Sequence, residues 1–543
     1  MEYDGIILGT GHNALILQAY LGMAGLATLS VERSPEPGAG LVTVENPRLP
    51  GFLHNTHSFF HRNVTGLPWY RDLELKRRGA EYIEPDLNVA MVLNDGRTLE
   101  WWGDIDKTVE SFRQFSAKDA DTLRRWRDAF EPILERILGP ESQGPPLPPE
   151  RRKELLERTS EGRFLLQVSA LSPLEFVQRE FENPVIQGAL LFFNGLREVD
   201  LRCPGFGHHI PALLAAKGRA QMCRGGSINL ARALVSAVTE HGGEIRLDTT
   251  PQRIVVENGR VAGIVTTAGD FIRARHFVAS GLNPQQTFLE LFDENLVPKQ
   301  WRARAAAFEY NLLAPLFALN LALSEAPAYR AAANNPALSE ALMVILGLED
   351  SAAFPEIVRH HEAGTIPPTV MWGSTPTVFD PSQAPSGKHV AFMWEKLPYR
   401  LHGDPLNWDR EKERHGARLI DLWNEYAPNL KDSIEDAFTR SALDTERSLP
   451  NMREGDLLVG AFAGGQVGYN RPFPGAGHYR GHIPGLYLCG SCCHPGGNIT
   501  GLPGYNAAQV ILSDHQIDVD WLPEPVEQRL ARMTQSNILD TPK

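Results

Sequence analysis

Between Gly5 and Arg33 the chain reads GIILGTGHNALILQAYLGMAGLATLSVER, a run that suits strand, tight turn, helix and strand in that order. Ile6, Ile7 and Leu8 form a short apolar stretch before glycine, as in a strand buried on both faces. Gly9, Gly11 and Ala14 follow as G-x-G-x-x-A. Gly9 permits the tight turn, Gly11 lets a pyrophosphate approach the backbone, and Ala14 is small enough for close helix–strand packing. Asn13 to Met23 reads as a helix whose first N–H groups would point at phosphates, and Gly25 ends it. Leu26 to Val31 reads as a second strand, closed by Glu32. An acidic side chain about 20 residues after the glycines accepts hydrogen bonds from ribose hydroxyls and repels a 2′-phosphate, which disfavours NADP. The competing reading is a plain βαβ unit whose glycines serve packing alone.

Length and charge set further bounds. A chain of 543 residues exceeds one compact core, so two or more intimately joined domains are expected. With 42% hydrophobic and 22% charged residues it reads as an ordinary globular chain. Lys and Arg number 53 against 66 Asp and Glu, a net charge of −13, which argues against a general nucleic-acid binder. Cys203, Cys223, Cys489, Cys492 and Cys493 do not make a secreted disulfide framework. Cys489 and Cys492 have CxxC spacing without a second pair, so small side chains packed at a strand end are favoured over a metal or redox role. His208-His209 and His360-His361 are adjacent pairs without an H-x-x-x-H spacing, and no metal site is expected; His360-His361, flanked by Arg359 and Glu362, reads as solvated surface. No apolar run reaches the roughly 18 residues of a membrane span. The glycine motif begins too early to leave room for a signal peptide. The expectation is a cytoplasmic protein, with membrane-surface contact left open.

Along the chain, Glu110 to Ile137 reads as a helix, Gly139 to Pro149 as a loop or linker, and Arg151 to Leu196 as a second helical block. Gly225-Gly226 opens a helix ended by Gly242-Gly243 and followed by a strand. Gln252 to Val265 reads as a hairpin turning at Asn258-Gly259, and Phe271 to Ser280 as another strand. NLLAPLFALNLAL and KHVAFMWEKL, between residues 310 and 395, suit the sheet floor of a substrate domain. A helix is expected at about Arg410 to Glu425. Leu486 to Gly490 reads as a strand running into glycine, and Gly501 to Leu512 as a helix; Trp521 to Lys543 is a charged tail with room for a terminal helix. The Trp101-Trp102 pair reads as core or pocket lining. Nucleotide-type signals thus recur at the start, near 225–280 and near 486–512. One domain is therefore expected to be assembled from separated pieces. No second G-x-G-x-x-G follows a strand, which argues against a separate NAD(P) domain.

GTGHNALILQAYLGMAGLATLSVER, GGSINLARAL to VVENGRVAGIV, DPSQAPSGKHV and PGLYLCGSCCHPGGNITGLPGYNAAQVIL together resemble the phytoene desaturase-like flavoproteins, a group within the amine oxidase superfamily that includes carotenoid desaturases and retinol saturase. HPGG, His494 to Gly497, is the most specific part. The resemblance implies an α/β fold. A Rossmann-like FAD-binding domain, three-layered on a parallel sheet, would come from residues 1–100, 220–295 and 450–515. An inserted α+β substrate domain with a helical insert would come from 101–219 and 296–449, and 516–543 would be a tail. It also implies non-covalent FAD. Gly9, Gly11 and Ala14 would surround the pyrophosphate, Glu32 would hold the adenosine ribose, and Gly490 and Ser491 would reach the pyrophosphate from the other side. Gly497, Asn498 and Ile499 would open the last helix beneath the flavin pyrimidine, where a helix N-terminus favours negative charge on reduced flavin. His12, Asn13, Arg33, Gly38, Gly40 and Leu41 complete the implied cofactor set. Three departures accompany it. Gly38-Ala39 stands where the family often has Gly-Gly. Pro251, which lacks an N–H, falls at the usual adenine contact. HNTHSFF, His54 to Phe60, stands where many relatives have a glycine-containing turn, with His57 near that glycine.

The implied activity is removal of hydride from a CH–CH group of an apolar small molecule, isoprenoid or alicyclic, with hydride going to flavin N5. Such chemistry needs positioning and a dry pocket more than acid–base groups, and the sequence offers no triad or paired carboxylates. His57 and His494 are candidate bases or orienting groups, and Tyr505 on the last helix is a third candidate. For each the alternative is a side chain that shapes the cofactor loop or the core. The electron acceptor is left open among oxygen, a quinone and a redox partner. Competing functions are a flavin amine oxidase, which would need an aromatic cage for the amine, a redox-neutral isomerase using reduced FAD, and a non-catalytic prenyl-protein escort of the same fold.

Overall fold

The computed structural model describes residues 2–194, 200–216, 220–463 and 465–536. Two sheets organise it. In the first, Glu2–Leu8 lies between Thr28–Val31 and Phe271–Ser280, parallel to both. Glu244–Arg246 extends the parallel run past Thr28–Val31, and Leu486–Leu488 joins the last three residues of Phe271–Ser280. Helices cover these strands, which is why Ile6, Ile7 and Leu8 are wholly buried instead of alternating. Pro251–Glu257 and Arg260–Thr266 add an antiparallel hairpin at the edge. Its turn places Asn258 at φ 51° and Gly259 at φ 73°, the left-handed pair that an Asn-Gly turn supplies. The strands of this α/β sheet come from the start, the 244–280 region and the 486–488 region of the chain, so distant segments do converge.

The helix after the glycines, His12–Met23, packs against Ile228–Glu240 on one side and Leu502–Asp514 on the other. Its crossing with Leu502–Asp514 is close. A Cβ added at Gly504 would lie 1.9 Å from the Asn13 carbonyl oxygen, so only glycine lets the two backbones meet.

The second sheet runs Ile434–Arg440, Leu316–Leu323, His389–Lys396, Met371–Ser374, Met343–Leu346, Leu87–Val92 and Thr98–Trp102. The boundary expected at residue 100 cuts through its outermost hairpin. Helices between residues 105 and 215 cover one face, and Trp408–Tyr426 covers the other.

Local details depart from the sequence reading for identifiable reasons. Glu110 to Ile137 is not one helix. Ile105–Arg113 stops, and Ala117–Ile133 restarts where the Ser116 hydroxyl accepts the Asp119 N–H. The block from Arg151 resolves into Pro149–Glu157, Ser160–Ser169, Pro173–Glu180 and Pro184–Asn194; Leu196 lies outside the described residues. The expected linker after Gly139 begins with a short helix, Gly139–Ser142, and is docked on the last sheet-covering helix. Asn506 Nδ2 donates to the carbonyls of Ser142 and Gly144, and Gln509 Nε2 to that of Gln143. Bound carbonyls, not composition, make this segment ordered. The tail holds the helix Val526–Ser536; residues 537–543 lie outside the described residues. No described helix is long and apolar enough to cross a membrane.

Gly504→Ala is expected to destabilise the fold by about 1–3 kcal/mol through overpacking, although alanine is otherwise the better helix former by about 1 kcal/mol. Thermal unfolding checks this; a melting temperature at or above that of the wild type would show that the two helices do not meet backbone to backbone.

Candidate active site

A cavity of about 720 Å³ opens where the parallel strands end and runs to the face of the second sheet. Its polar end is built on the first turn. Gly9 has φ 92°, and a Cβ there would meet nothing within 4 Å, so the turn faces open space. Glu32 braces that turn. Its Oε2 accepts from the Thr10 N–H (3.0 Å) and Thr10 Oγ1 (2.9 Å), and its Oε1 from the Ser34 N–H (2.9 Å). On the far side the Gly38 N–H donates to the Thr10 carbonyl (3.0 Å). The glycines are thus held between an acid and a second glycine loop.

The segment 490–501 closes the cavity opposite Glu32. Asn13 Nδ2 donates to Ser491 Oγ (3.1 Å), and His12 Nε2 donates to the Asn498 carbonyl (3.1 Å). Asn498 sits at φ 70°, a conformation asparagine tolerates. Trp69, fully buried, donates its Nε1–H to the Thr500 carbonyl (2.7 Å). The helix expected to open at Gly497 begins three residues beyond Ile499, at Leu502, because Gly501 (φ 65°) first turns the chain between Ile16 and Trp69. Buried Arg471 ties this segment to the preceding loop. Its guanidinium donates to the carbonyls of Val459, Gly460, Ala461, Gln466 and Ser491, and burial lowers its pKa.

The other end is apolar. Strand alternation puts Phe392, Trp394 and Lys396 on one face of their strand, beside Leu316 and Trp372 on its neighbours. Of these, Leu316, Trp372, Trp394 and Lys396 line the cavity together with Phe59 and Phe60. The Lys396 ammonium donates to the Ala314 carbonyl (3.0 Å) and lies 5.7 Å from the Trp372 ring centroid. His57 borders this end, hydrogen-bonded through Nδ1 to Thr56 Oγ1 (2.9 Å) and through Nε2 to Thr445 Oγ1 (3.3 Å). Burial, and then the nearby Arg440 charge, push its pKa down to about 3. His61, bonded to Ser58 and Tyr82, is likewise held near about 3, first by burial.

Among residues singled out from sequence, Gly9, Gly11, His12, Asn13, Ala14, Glu32 and Arg33 line the cavity from the first turn. Gly40, His57, Pro251, Gly490, Ser491, Asn498 and Ile499 line it from elsewhere. Gly38, Leu41 and Gly497 stand behind the wall. Leu41 is core, and a Cβ on Gly497 would strike the Leu458 carbonyl at 2.4 Å. His494 and Tyr505 do not reach the cavity. His494 Nε2 donates to the Glu141 carbonyl (2.9 Å), holding the docked 139–144 segment. Tyr505 packs edge-on to Tyr20 at 5.2 Å, where burial pushes its hydroxyl up to about 12. His361 is buried, not solvated. Phe354, Ile357, Val358 and His361 share one helix face, and the His361 ring lies 3.1 Å from the carbonyls of both Leu312 and Lys396, donating to one of them as a neutral imidazole. The five cysteines are free, and no described group of side chains could hold a metal ion.

The residues present fit a dinucleotide. The glycine turn faces open space, and the lining amides Asn13 Oδ1 and Gln286 Oε1 have no hydrogen-bond partner among the described residues, nor does the indole donor Trp394 Nε1. Unpaired buried polar atoms are costly unless a ligand meets them.

Comparison with known proteins follows the same line. No family model matches the chain. It is 30% identical to one of the subunits of limonene dehydrogenase from Castellaniella defragrans, over 98% of each chain. It is 22% identical to a lycopene-forming phytoene desaturase of a Paracoccus species, over 94% of this chain and 97% of that one. Among solved structures, cyclohexylamine oxidase from Brevibacterium oxydans superposes with a TM-score of 0.58 at 13% identity, covering 95% of this chain and 100% of that one, a likeness of fold.

Six histidines, His12, His54, His57, His61, His361 and His494, are held at about 3 to about 4, in each case first by desolvation; His57 and His494 are half-buried and the other four buried. Unfolded histidine binds a proton near pH 6.5, so below that pH the unfolded chain holds more protons and stability falls with falling pH. The melting temperature should therefore drop between about pH 7.5 and about pH 5.5, and His57→Gln should make the drop shallower. A flat profile in this window would contradict the burial of these rings.

Proposed function

The chain belongs to the phytoene desaturase-like family of FAD-dependent oxidoreductases, enzymes of the CH–CH donor class, and on that premise we propose that it dehydrogenates an apolar isoprenoid or alicyclic molecule. One observation carries this reading: a single cavity joins a glycine-and-acid nucleotide cradle to an aromatic wall. Bound FAD would supply a hydride acceptor at the junction of the two ends. The chain's own residues do the rest. The N–H groups around Gly9 and Gly11 and the first turn of His12–Met23 bind phosphate charge. Glu32 accepts ribose hydroxyls with lone pairs that Thr10 and Ser34 leave over. Asn498, Ile499 and Thr500 bound the middle of the cavity. Phe59, Trp372 and Trp394 exclude water and align the substrate's C–H bond by shape.

No strong base is needed, and none is offered. Histidines held near pH 3 accept protons poorly, so the proton that accompanies hydride departure leaves to water outside the wall of Phe59, Trp372 and Trp394. His57 then serves through its bonds to Thr56 and Thr445, which fix the wall. The Lys396 ammonium lies toward Trp372, where a substrate ammonium would need to stack, which disfavours the amine oxidase reading.

His57→Gln should keep activity within about tenfold of wild type, whereas loss of a true general base costs 10²–10⁴-fold; steady-state turnover measures the difference. FAD-loaded protein kept without oxygen should lose its yellow absorption on adding saturated alicyclic hydrocarbons or terpenoids. Bleaching by amines alone would reject the proposed reaction.

A further inference from the structure

Beyond the apolar end lies a second, smaller cavity of about 50 Å³. Phe60, Arg62 and Trp372 line both volumes, so the two adjoin at those side chains. Its own walls include Val89, Trp101, Phe192, Phe193, Met343 and Ile345. Against this apolar lining stands one amide, Asn88, 5% exposed. Asn88 Oδ1 has no hydrogen-bond partner among the described residues.

Alternation from Leu87 turns that amide toward the cavity, and a bulge brings its neighbour Val89 to the same side. Pairing between Leu87–Val92 and Thr98–Trp102 shifts register between Leu87 and Val89, so a bulge falls at Asn88. Leu87, Ala90 and Val92 pack on one face of the sheet, and Met91 and Val89 on the other. Regular alternation would send Asn88 to the face opposite Leu87 and put Val89 back beside Leu87. The bulge instead lets Asn88 and Val89 line the same small cavity. Unpaired amide oxygens in apolar surroundings are costly to keep. The volume exceeds the 10–15 Å³ or so that a single water needs, which leaves room for a ligand group.

We propose that this annex is a subsite for the hydroxyl-bearing end of the substrate, with Asn88 Oδ1 accepting a hydrogen bond from that hydroxyl. The preferred substrate is then an alicyclic or isoprenoid alcohol, not a bare hydrocarbon. Its apolar body lies across the Phe60 and Trp372 wall, and its reacting C–H bond lies in the main cavity. The desaturase reading enters only in locating that reacting end.

The test compares two ligands of one skeleton, p-menthane and its primary ring-methyl alcohol, by quenching of tryptophan fluorescence in the FAD-loaded protein. Trp101 and Trp372 line the annex and report occupancy. Wild type should bind the alcohol at least about tenfold more tightly, since a site built for a polar group penalises a ligand lacking it. Asn88→Leu should bring the two within about twofold while keeping hydrocarbon affinity. Leu213→Phe, which fills the annex from another wall, should also abolish the preference and serves if Asn88→Leu does not fold. Equal binding by wild type, or a preference that survives both substitutions, overturns the proposal. Flavin bleaching is recorded in parallel. Failure of both compounds to bleach counts against the desaturase reading, while the binding ratio still decides the role of Asn88.

Discussion

Backbone meets backbone where the helix His12–Met23 crosses Leu502–Asp514, and the cavity exists because it does. With no side chain at Gly504 to hold the helices apart, Asn13 comes within reach of Ser491, and His12 within reach of the Asn498 carbonyl. Segments almost 500 residues apart in sequence then form facing walls. Arg471 applies the same logic from the side, its guanidinium gathering the carbonyls of Val459, Gly460, Ala461, Gln466 and Ser491. A buried cation that donates from both terminal nitrogens fixes a loop that has little regular structure of its own.

The two ends of the cavity divide the chemistry. Glycine turns, backbone N–H groups and Glu32 give one end the character of a phosphate and sugar site. The sheet face gives the other a wall of indole and phenyl rings. Between them lie imidazoles that burial keeps neutral. Uncharged histidines suit a dry pocket, since they bond to hydroxyls and carbonyls without bringing in a charge to be solvated.

Much of the polar end was legible because its signals are local. Strand, glycines, helix, strand and acid lie within 33 residues, and Asn258-Gly259 specifies its own turn. The apolar end was not, for a physical reason. KHVAFMWEKL shows period-two alternation, but nothing local says which face meets a cavity; that depends on strands from residues 87, 316, 343 and 371 pairing around it. His494 and Tyr505 lie in legible motifs, yet the direction of each side chain is set by the docked 139–144 segment and by Tyr20. His361 had a readable signal: its i, i+3, i+4, i+7 spacing with Phe354, Ile357 and Val358 marks the apolar face, and neighbouring charges masked it. Ser116 with Asp119 was likewise a readable helix start inside what looked like one continuous helix.

The position of the flavin in crystals of the FAD-loaded enzyme tests this account most directly. Density should show the pyrophosphate against the amides of Gly9 and Gly11, the ribose at Glu32, and the ring system beside Ile499 with its open edge toward Phe59 and Trp394. A flavin bound elsewhere, or refined crystals that take up none at saturating concentration, would contradict it.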